Sequence, residues 1–179
     1  MKKTIQTIVL AALCLFLSSV ARAQTAALKI GDMVPDMTIN NVINYKGNSL
    51  KLSDFRGKLL ILDFWSTDCH ASIELLAELA RLQQAFPDKL KIITVGKGEK
   101  DAVKRITSPK GLSALSLIAS DSLLNSLFPH YLFPQLVWIS PELKVLGITT
   151  AYDANEATIQ KILDGEQVVF KDPKADRMD

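Results

Sequence analysis

The stretch Leu59-Leu60-Ile61-Leu62-Asp63-Phe64-Trp65-Ser66-Thr67-Asp68-Cys69-His70-Ala71-Ser72 decides how the chain is read. From Lys58 to Trp65 it is almost unbroken in apolar residues. A run of that length reads as a central strand covered on both faces. Ser66-Thr67-Asp68 makes a turn. From about Ser72 to Phe86 the pattern becomes helical: Leu75, Leu76, Leu79, Leu82 and Phe86 share one side, and Glu74, Glu78, Arg81 and Gln84 the other. Pro87 stops this helix. Cys69 therefore stands where a helix begins. Asp63 interrupts the apolar strand, and a carboxylate there must be hydrogen-bonded, paired or protonated.

Working outward toward the C-terminus, Leu90 to Val95 reads as a strand, and Gly96 and Gly98 open a loop. Glu99 to about Thr107 reads as a helix, broken by Ser108-Pro109-Lys110-Gly111. Leu115 to Ala119 is a short strand. Asp121 caps a helix through about Leu127, and Pro129 and Pro134 bracket a loop. Gln135 to Ser140 and Val145 to Thr149 form a hairpin around the turn Pro141-Glu142-Leu143-Lys144. Asn155 to Leu163 is a final helix, with Gly165 just past its end.

Toward the N-terminus, Ser49 to Leu52 alternates like a half-exposed strand, Asn41 to Asn48 is rich in turn residues, and Pro35 to Asn40 is a short strand behind an arm, residues 24–34. Strand–helix–strand followed by a hairpin and a terminal helix predicts an α/β fold: a mixed central sheet with helices on both faces.

The first 23 residues read as a secretory signal peptide: Lys2 and Lys3, an apolar core from Ile8 to Leu17, and Ala21-Arg22-Ala23 before Gln24. The core is short and interrupted for a membrane span. An uncleaved anchor is the lesser alternative, and Leu13 is too bulky to precede a lipidated Cys14. Export to the periplasm or cell envelope follows, without stable membrane insertion once the signal is cleaved. The chain has 21 basic and 19 acidic residues. Three of the basic ones leave with the signal, so the remainder is near neutral and nothing points to nucleic acid. Cys14 leaves too. Cys69 then remains as a single free thiol.

Several features in order resemble one family. They are Ile30-Gly31-Asp32, Pro35-Asp36, Leu52-Ser53-Asp54-Phe55-Arg56-Gly57-Lys58, Asp63-Phe64-Trp65-Ser66-Thr67 leading to Cys69, and Phe133-Pro134 before Val137-Trp138-Ile139. The chain resembles the exported TlpA/ResA-like thiol–disulfide oxidoreductases, a thioredoxin-fold group related to the peroxiredoxins, over about residues 29 to 165. The resemblance implies a thioredoxin-like fold with an N-terminal β extension, in a domain of residues 24–171 followed by a loose tail, 172–179. It implies that Cys69 is the nucleophile, that Asp63 is the buried aspartate of such sites, and that Pro134 is cis. Phe133 and Pro134 would then face the cysteine and receive a substrate, with His70 beside them.

The departures lie in the site. Where the family has C-x-x-C, this chain has Cys69-His70-Ala71-Ser72. Asp68 replaces a tryptophan, and Leu75 and Ala77 replace an acidic residue and a proline. The helix N-terminus favours a thiolate at Cys69, and a protonated His70 adds to this. Asp68 opposes it. Ser72 either donates a hydrogen bond to that thiolate or caps the helix. It cannot attack a mixed disulfide.

The expected function is monothiol thiol–disulfide exchange with exported protein thiols or disulfides, or with low-molecular-weight thiols, without a cofactor. A non-catalytic binding module is one alternative. A single-cysteine peroxidase is another, since Ser66 stands three residues before Cys69, although Leu62 stands where the peroxiredoxin motif has proline. Cys69, His70 and His130 lack a metal-ligand spacing, and no metal site is expected.

Overall fold

Every residue of Leu59–Ser66 is buried, and the rest of the fold is arranged on that strand. The computed structural model describes residues 26–108 and 111–170. The elements are β1 (Thr38–Asn40), β2 (Val42–Ile43), β3 (Ser49–Lys51), β4 (Leu59–Ser66), α1 (His70–Ala85), β5 (Leu90–Lys97), α2 (Lys100–Thr107), β6 (Ser116–Ile118), α3 (Ser122–Leu127), β7 (Gln135–Ile139), β8 (Val145–Thr149) and α4 (Glu156–Leu163). The signal peptide and tail expected from the sequence lie outside the described residues, as do Pro109 and Lys110 of the expected helix break. No helix among the described residues is long and apolar enough to cross a membrane.

Six strands form a mixed sheet in the order β2-β6-β5-β4-β7-β8. β4 is parallel to β5, from Leu59↔Leu90 to Ser66↔Lys97, and antiparallel to β7, from Leu60↔Ile139 to Phe64↔Gln135. β1 and β3 make a separate antiparallel ribbon.

Alternation along β4 divides the core. Leu60, Leu62 and Phe64 pack with Ile39, Leu50, Leu52 and Phe55 of the ribbon region and with Leu124 and Leu127 of α3. Leu59, Ile61 and Trp65 pack with Leu75, Leu76 and Leu79 of α1, Val103 of α2 and Ile159 of α4. Two parallel crossovers of the same hand put α1 and α2 on one face. The expected mixed sheet with helices on both faces and an N-terminal β extension is the observed architecture.

Three local readings change. α1 starts at His70, not Ser72, because Cys69 already serves as N-cap: its backbone is extended (φ −105, ψ 107) and its carbonyl accepts from the Ile73 N–H at 3.1 Å. Within the turn-rich segment, Val42–Ile43 adds a strand antiparallel to β6, flanked by Asn41 and Asn44, both at φ 59. Gly96 does not open a loop. It lies inside β5, where a Cβ would meet Val103 at 3.0 Å and the Trp65 ring at 3.1 Å. The glycine is there because the indole takes the space.

β6 begins only opposite Ile93, so the first residues of β5 have no strand on that side. Gln83 of α1 takes its place: its Nε2 donates to the Leu90 carbonyl (2.9 Å) and its Oε1 accepts from the Ile92 N–H (2.7 Å). Gln83→Ala would orphan two buried backbone groups, at about 1–3 kcal/mol each. We expect a loss of about 2–5 kcal/mol in urea denaturation, whereas Gln84→Ala on the exposed side of the same helix should change stability by less than about 0.5 kcal/mol.

Candidate active site

The parallel pairing of β4 and β5 ends at Ser66 and Lys97, and the chain turns there into α1. Ser66 shapes the turn: its carbonyl accepts from the Cys69 N–H at 3.1 Å and its Oγ from the Asp68 N–H at 3.3 Å. Cys69 is left partly exposed as the N-cap of a helix sixteen residues long. Its side chain makes no capping bond. The thiol donates instead to the Phe133 carbonyl at 3.4 Å, across the gap between α1 and the loop before β7. The Phe133–Pro134 peptide is cis.

The loop is held by aromatic contacts. His130 lies between Phe64 of β4, with centroids 4.6 Å apart, and Phe133, at 5.0 Å. One ring nitrogen of His130 is 2.8 Å from the Phe128 carbonyl. Lys97, at the end of β5, puts its ammonium 5.7 Å from the Phe133 ring. His130, which the sequence marks only as a loop histidine without metal-ligand spacing, is half-buried and wedges the loop onto the sheet. Lys97 carried no signal, because nothing local says that the end of one strand faces a loop some 36 residues further on.

The other expected site residues are distributed unevenly. His70 points outward and pairs with Glu74 one turn along, Nε2 to Oε1 at 3.1 Å, both well exposed. Ser72 is fully buried on the sheet-facing side of α1 with Leu75, Leu76 and Leu79. Neither role expected for it is seen. Cys69 is the N-cap, and the Ser72 Oγ has no hydrogen-bond partner. Asp68 is exposed to solvent. Trp138 is wholly core: its Nε1 donates to Thr149 Oγ1 at 2.9 Å, and its ring stacks on Phe170.

Asp63 faces the same interior as Ile61 and Trp65, beneath α1. It is completely buried, and neither carboxylate oxygen has a hydrogen-bond partner. Its in-register neighbour Thr94 is equally buried, with its hydroxyl unpartnered. Desolvation pushes the Asp63 carboxyl up to about 8. At neutral pH it is mostly the neutral acid.

With that geometry in view, similarity to known proteins becomes informative. The AhpC/TSA family matches residues 30–127, more than half of the chain.

The chain belongs to the AhpC/TSA family.

It is 29% identical over 65 residues to thioredoxin-like protein YneN of Bacillus subtilis (strain 168), a match spanning 36% of each chain. It is 27% identical over 129 residues to thiol-disulfide oxidoreductase ResA of Geobacillus kaustophilus (strain HTA426), spanning 70% of this chain and 72% of that one. Among solved structures, the thioredoxin domain of a thiol-disulfide oxidoreductase from Bacteroides vulgatus superposes with a TM-score of 0.61 at 24% identity, covering 76% of this chain and 99% of that one. A thiol:disulfide interchange protein from Bacteroides sp. gives 0.59 at 26% identity, with 77% and 92% covered. The fold of this family member is thioredoxin-like.

The raised Asp63 carboxyl has a definite signature in stability. The folded protein holds the proton up to about pH 8, whereas the unfolded chain releases it near pH 4. Stability from this group is therefore complete below about pH 4 and is lost as pH rises through about 8, with a slope of up to about 1.4 kcal/mol per pH unit between. Asp63→Asn should flatten that fall in denaturant titrations from pH 5 to 8. Parallel curves for wild type and variant would mean that Asp63 is ionised throughout.

Proposed function

We propose that this protein is an exported monothiol thiol–disulfide exchange protein acting through Cys69. The observation that carries the reading is the seat of the thiol: half-exposed, at the N-cap of a long helix, and 3.4 Å from the Phe133 carbonyl beside cis-Pro134. The thiolate is the attacking species in such exchange.

The thiolate attacks one sulfur of a partner disulfide. A new S–S bond joins Cys69 to one half of the partner, and the other half leaves as a thiolate and takes up a proton from water. One disulfide has replaced another, with no net oxidation or reduction. In a dithiol site a second cysteine would then expel the bound half. Here that position is Ser72, whose alcohol cannot do so. The mixed disulfide lasts until an external thiol, on a protein or a low-molecular-weight compound, attacks it and frees Cys69. Exchange and isomerisation follow from this, rather than disulfide reduction by the chain alone.

Phe133 and Pro134 present backbone to an extended substrate, in the manner of strand addition. His70, out on the helix surface, meets the substrate at its edge. Asp63 holds a proton beneath the helix. Without a second thiol it has no sulfur to serve, and its main consequence is for stability. Residues 1–23 are a signal peptide removed on export together with Cys14, residues 24–171 are the working domain, and 172–179 are a tail. The peroxidase alternative is disfavoured because Leu62, a core residue, stands where the peroxiredoxin motif has proline.

Incubation with oxidised glutathione should give one adduct per chain by mass spectrometry, lost in Cys69→Ala. Absence of any adduct sinks the proposal. Ser72→Cys should confer reduction of insulin by dithiothreitol turnover. No gain would mean that Asp68, Leu75 and Ala77 have also disabled the site.

A further inference from the structure

The loop from Pro129 to Pro134 carries the carbonyl that receives the Cys69 thiol, yet its main chain has few ties. Among the described residues none of its members makes a backbone–backbone hydrogen bond. Both ends are prolines, and a proline has no N–H to give. Tyr131 is 88% exposed and Leu132 43%, so neither anchors the loop. Pro134 is buried where the loop meets the sheet, and within the loop the anchoring side chains are His130 and Phe133, both half-buried.

His130 is the middle member of a stack that begins in the core. The Phe64 ring of β4 is fully buried, and the His130 ring lies on it with 39° between the planes. Phe133 meets His130 edge-on, at 78°. The Nδ1 of His130 donates to the Phe128 carbonyl at 2.8 Å, because a carbonyl only accepts. Phe128 caps the C-terminus of α3, so the imidazole is oriented by a fixed element and cannot swivel without giving up that bond.

Both halves of the site are thereby referred to one strand. β4 delivers Cys69 through the turn that Ser66 shapes. Two residues before Ser66, its Phe64 supports Phe133 through His130. We infer that His130 is a positioning residue for the exchange reaction. Its ring, held between Phe64 and Phe133, keeps the Phe133 carbonyl 3.4 Å from the Cys69 sulfur and so fixes the backbone on which an extended substrate lies while its disulfide is attacked. The inference rests on the exchange reading proposed above and adds to it a residue that acts through Phe133.

An alanine at this position would leave the space of a ring between Phe64 and Phe133. With no main-chain bond to hold it among the described residues, the loop would settle into that space and carry the carbonyl with it. A misplacement of about 1 Å at a reacting centre can cost on the order of a hundredfold in rate. A residue that only fills space would lower stability and slow every disulfide alike. A positioning residue slows those whose backbone must lie on the loop.

Two disulfides that release the same coloured thiolate make the test. One is a hexapeptide whose cysteine is joined to 2-nitro-5-thiobenzoate. The other is the symmetric disulfide of 2-nitro-5-thiobenzoate, which has no peptide backbone. In each, the Cys69 thiolate attacks one sulfur, a nitrothiobenzoate leaves as the thiolate followed by its absorbance, and Cys69 keeps the other half as a mixed disulfide. His130→Ala should slow the peptide reaction by about tenfold or more and leave the symmetric reagent within about twofold of wild type. His130→Phe, which keeps a ring between Phe64 and Phe133, should retain most of the peptide rate. His130→Asn, which keeps a donor for the Phe128 carbonyl but no ring, should lose it, and this polar variant of a half-exposed loop residue gives the reading even where the alanine variant does not fold in a urea titration. An unchanged peptide rate, equal slowing of both reagents, or rescue by Asn and not by Phe overturns the inference. If the wild-type protein reacts with the symmetric reagent at Cys69 but not with the peptide disulfide, the exchange reading itself falls and this inference falls with it.

Discussion

Burial of β4 on both faces and along both edges is the constraint on which the structure depends. β5 and β7 pair with its edges, the ribbon and α3 cover one face, and α1, α2 and α4 cover the other. A strand enclosed in this way must emerge at its end into a turn rather than continue. The turn after Ser66 is therefore the first place where the chain meets solvent, and Cys69 sits there. The same enclosure fixes Asp63. Period-two alternation sends it into the interior beneath α1, where water cannot reach it and no donor compensates.

The site depends on three segments that are distant in sequence but adjacent in the sheet. β4 delivers the cysteine, β5 ends at Lys97, and the loop before β7 brings Phe133 and Pro134. The order β5-β4-β7 makes them neighbours. Within this arrangement Ser72 is the decisive substitution. It keeps the size and burial of a small helix residue, so α1 still packs on the sheet, and its alcohol cannot attack a disulfide as a thiolate can. Fold and reactivity are separable here because packing responds to volume, whereas exchange requires a sulfur.

Much of this was legible in the sequence. The unbroken apolar run of β4, the one-sided leucines of α1, the Asp121 and Asn155 caps and the hairpin around Pro141–Lys144 each follow from local rules, and the caps are made as expected, with Asp121 accepting from the Leu124 N–H and Asn155 from the Thr158 N–H. What was not legible depends on contacts between segments. Gly96 reads as a loop residue until the Trp65 ring is known to lie against it. Val42–Ile43 is too short to declare itself, and it becomes a strand only because β6 offers an edge. Gln83 reads as one more polar helix residue until β5 is seen to lack a partner on that side. His130 looks solvated until Phe64 and Phe133 close around it.

Gln135 belongs to the same class. It opens β7, and pattern alone makes it an unremarked polar residue at a strand end. The fold buries it beside a groove whose opposite lining comes from residues about a hundred positions earlier. Polar groups buried in a core are normally paired, and Gln135 Nε2, like the Asp63 carboxyl and the Thr94 hydroxyl nearby in the sheet, is not.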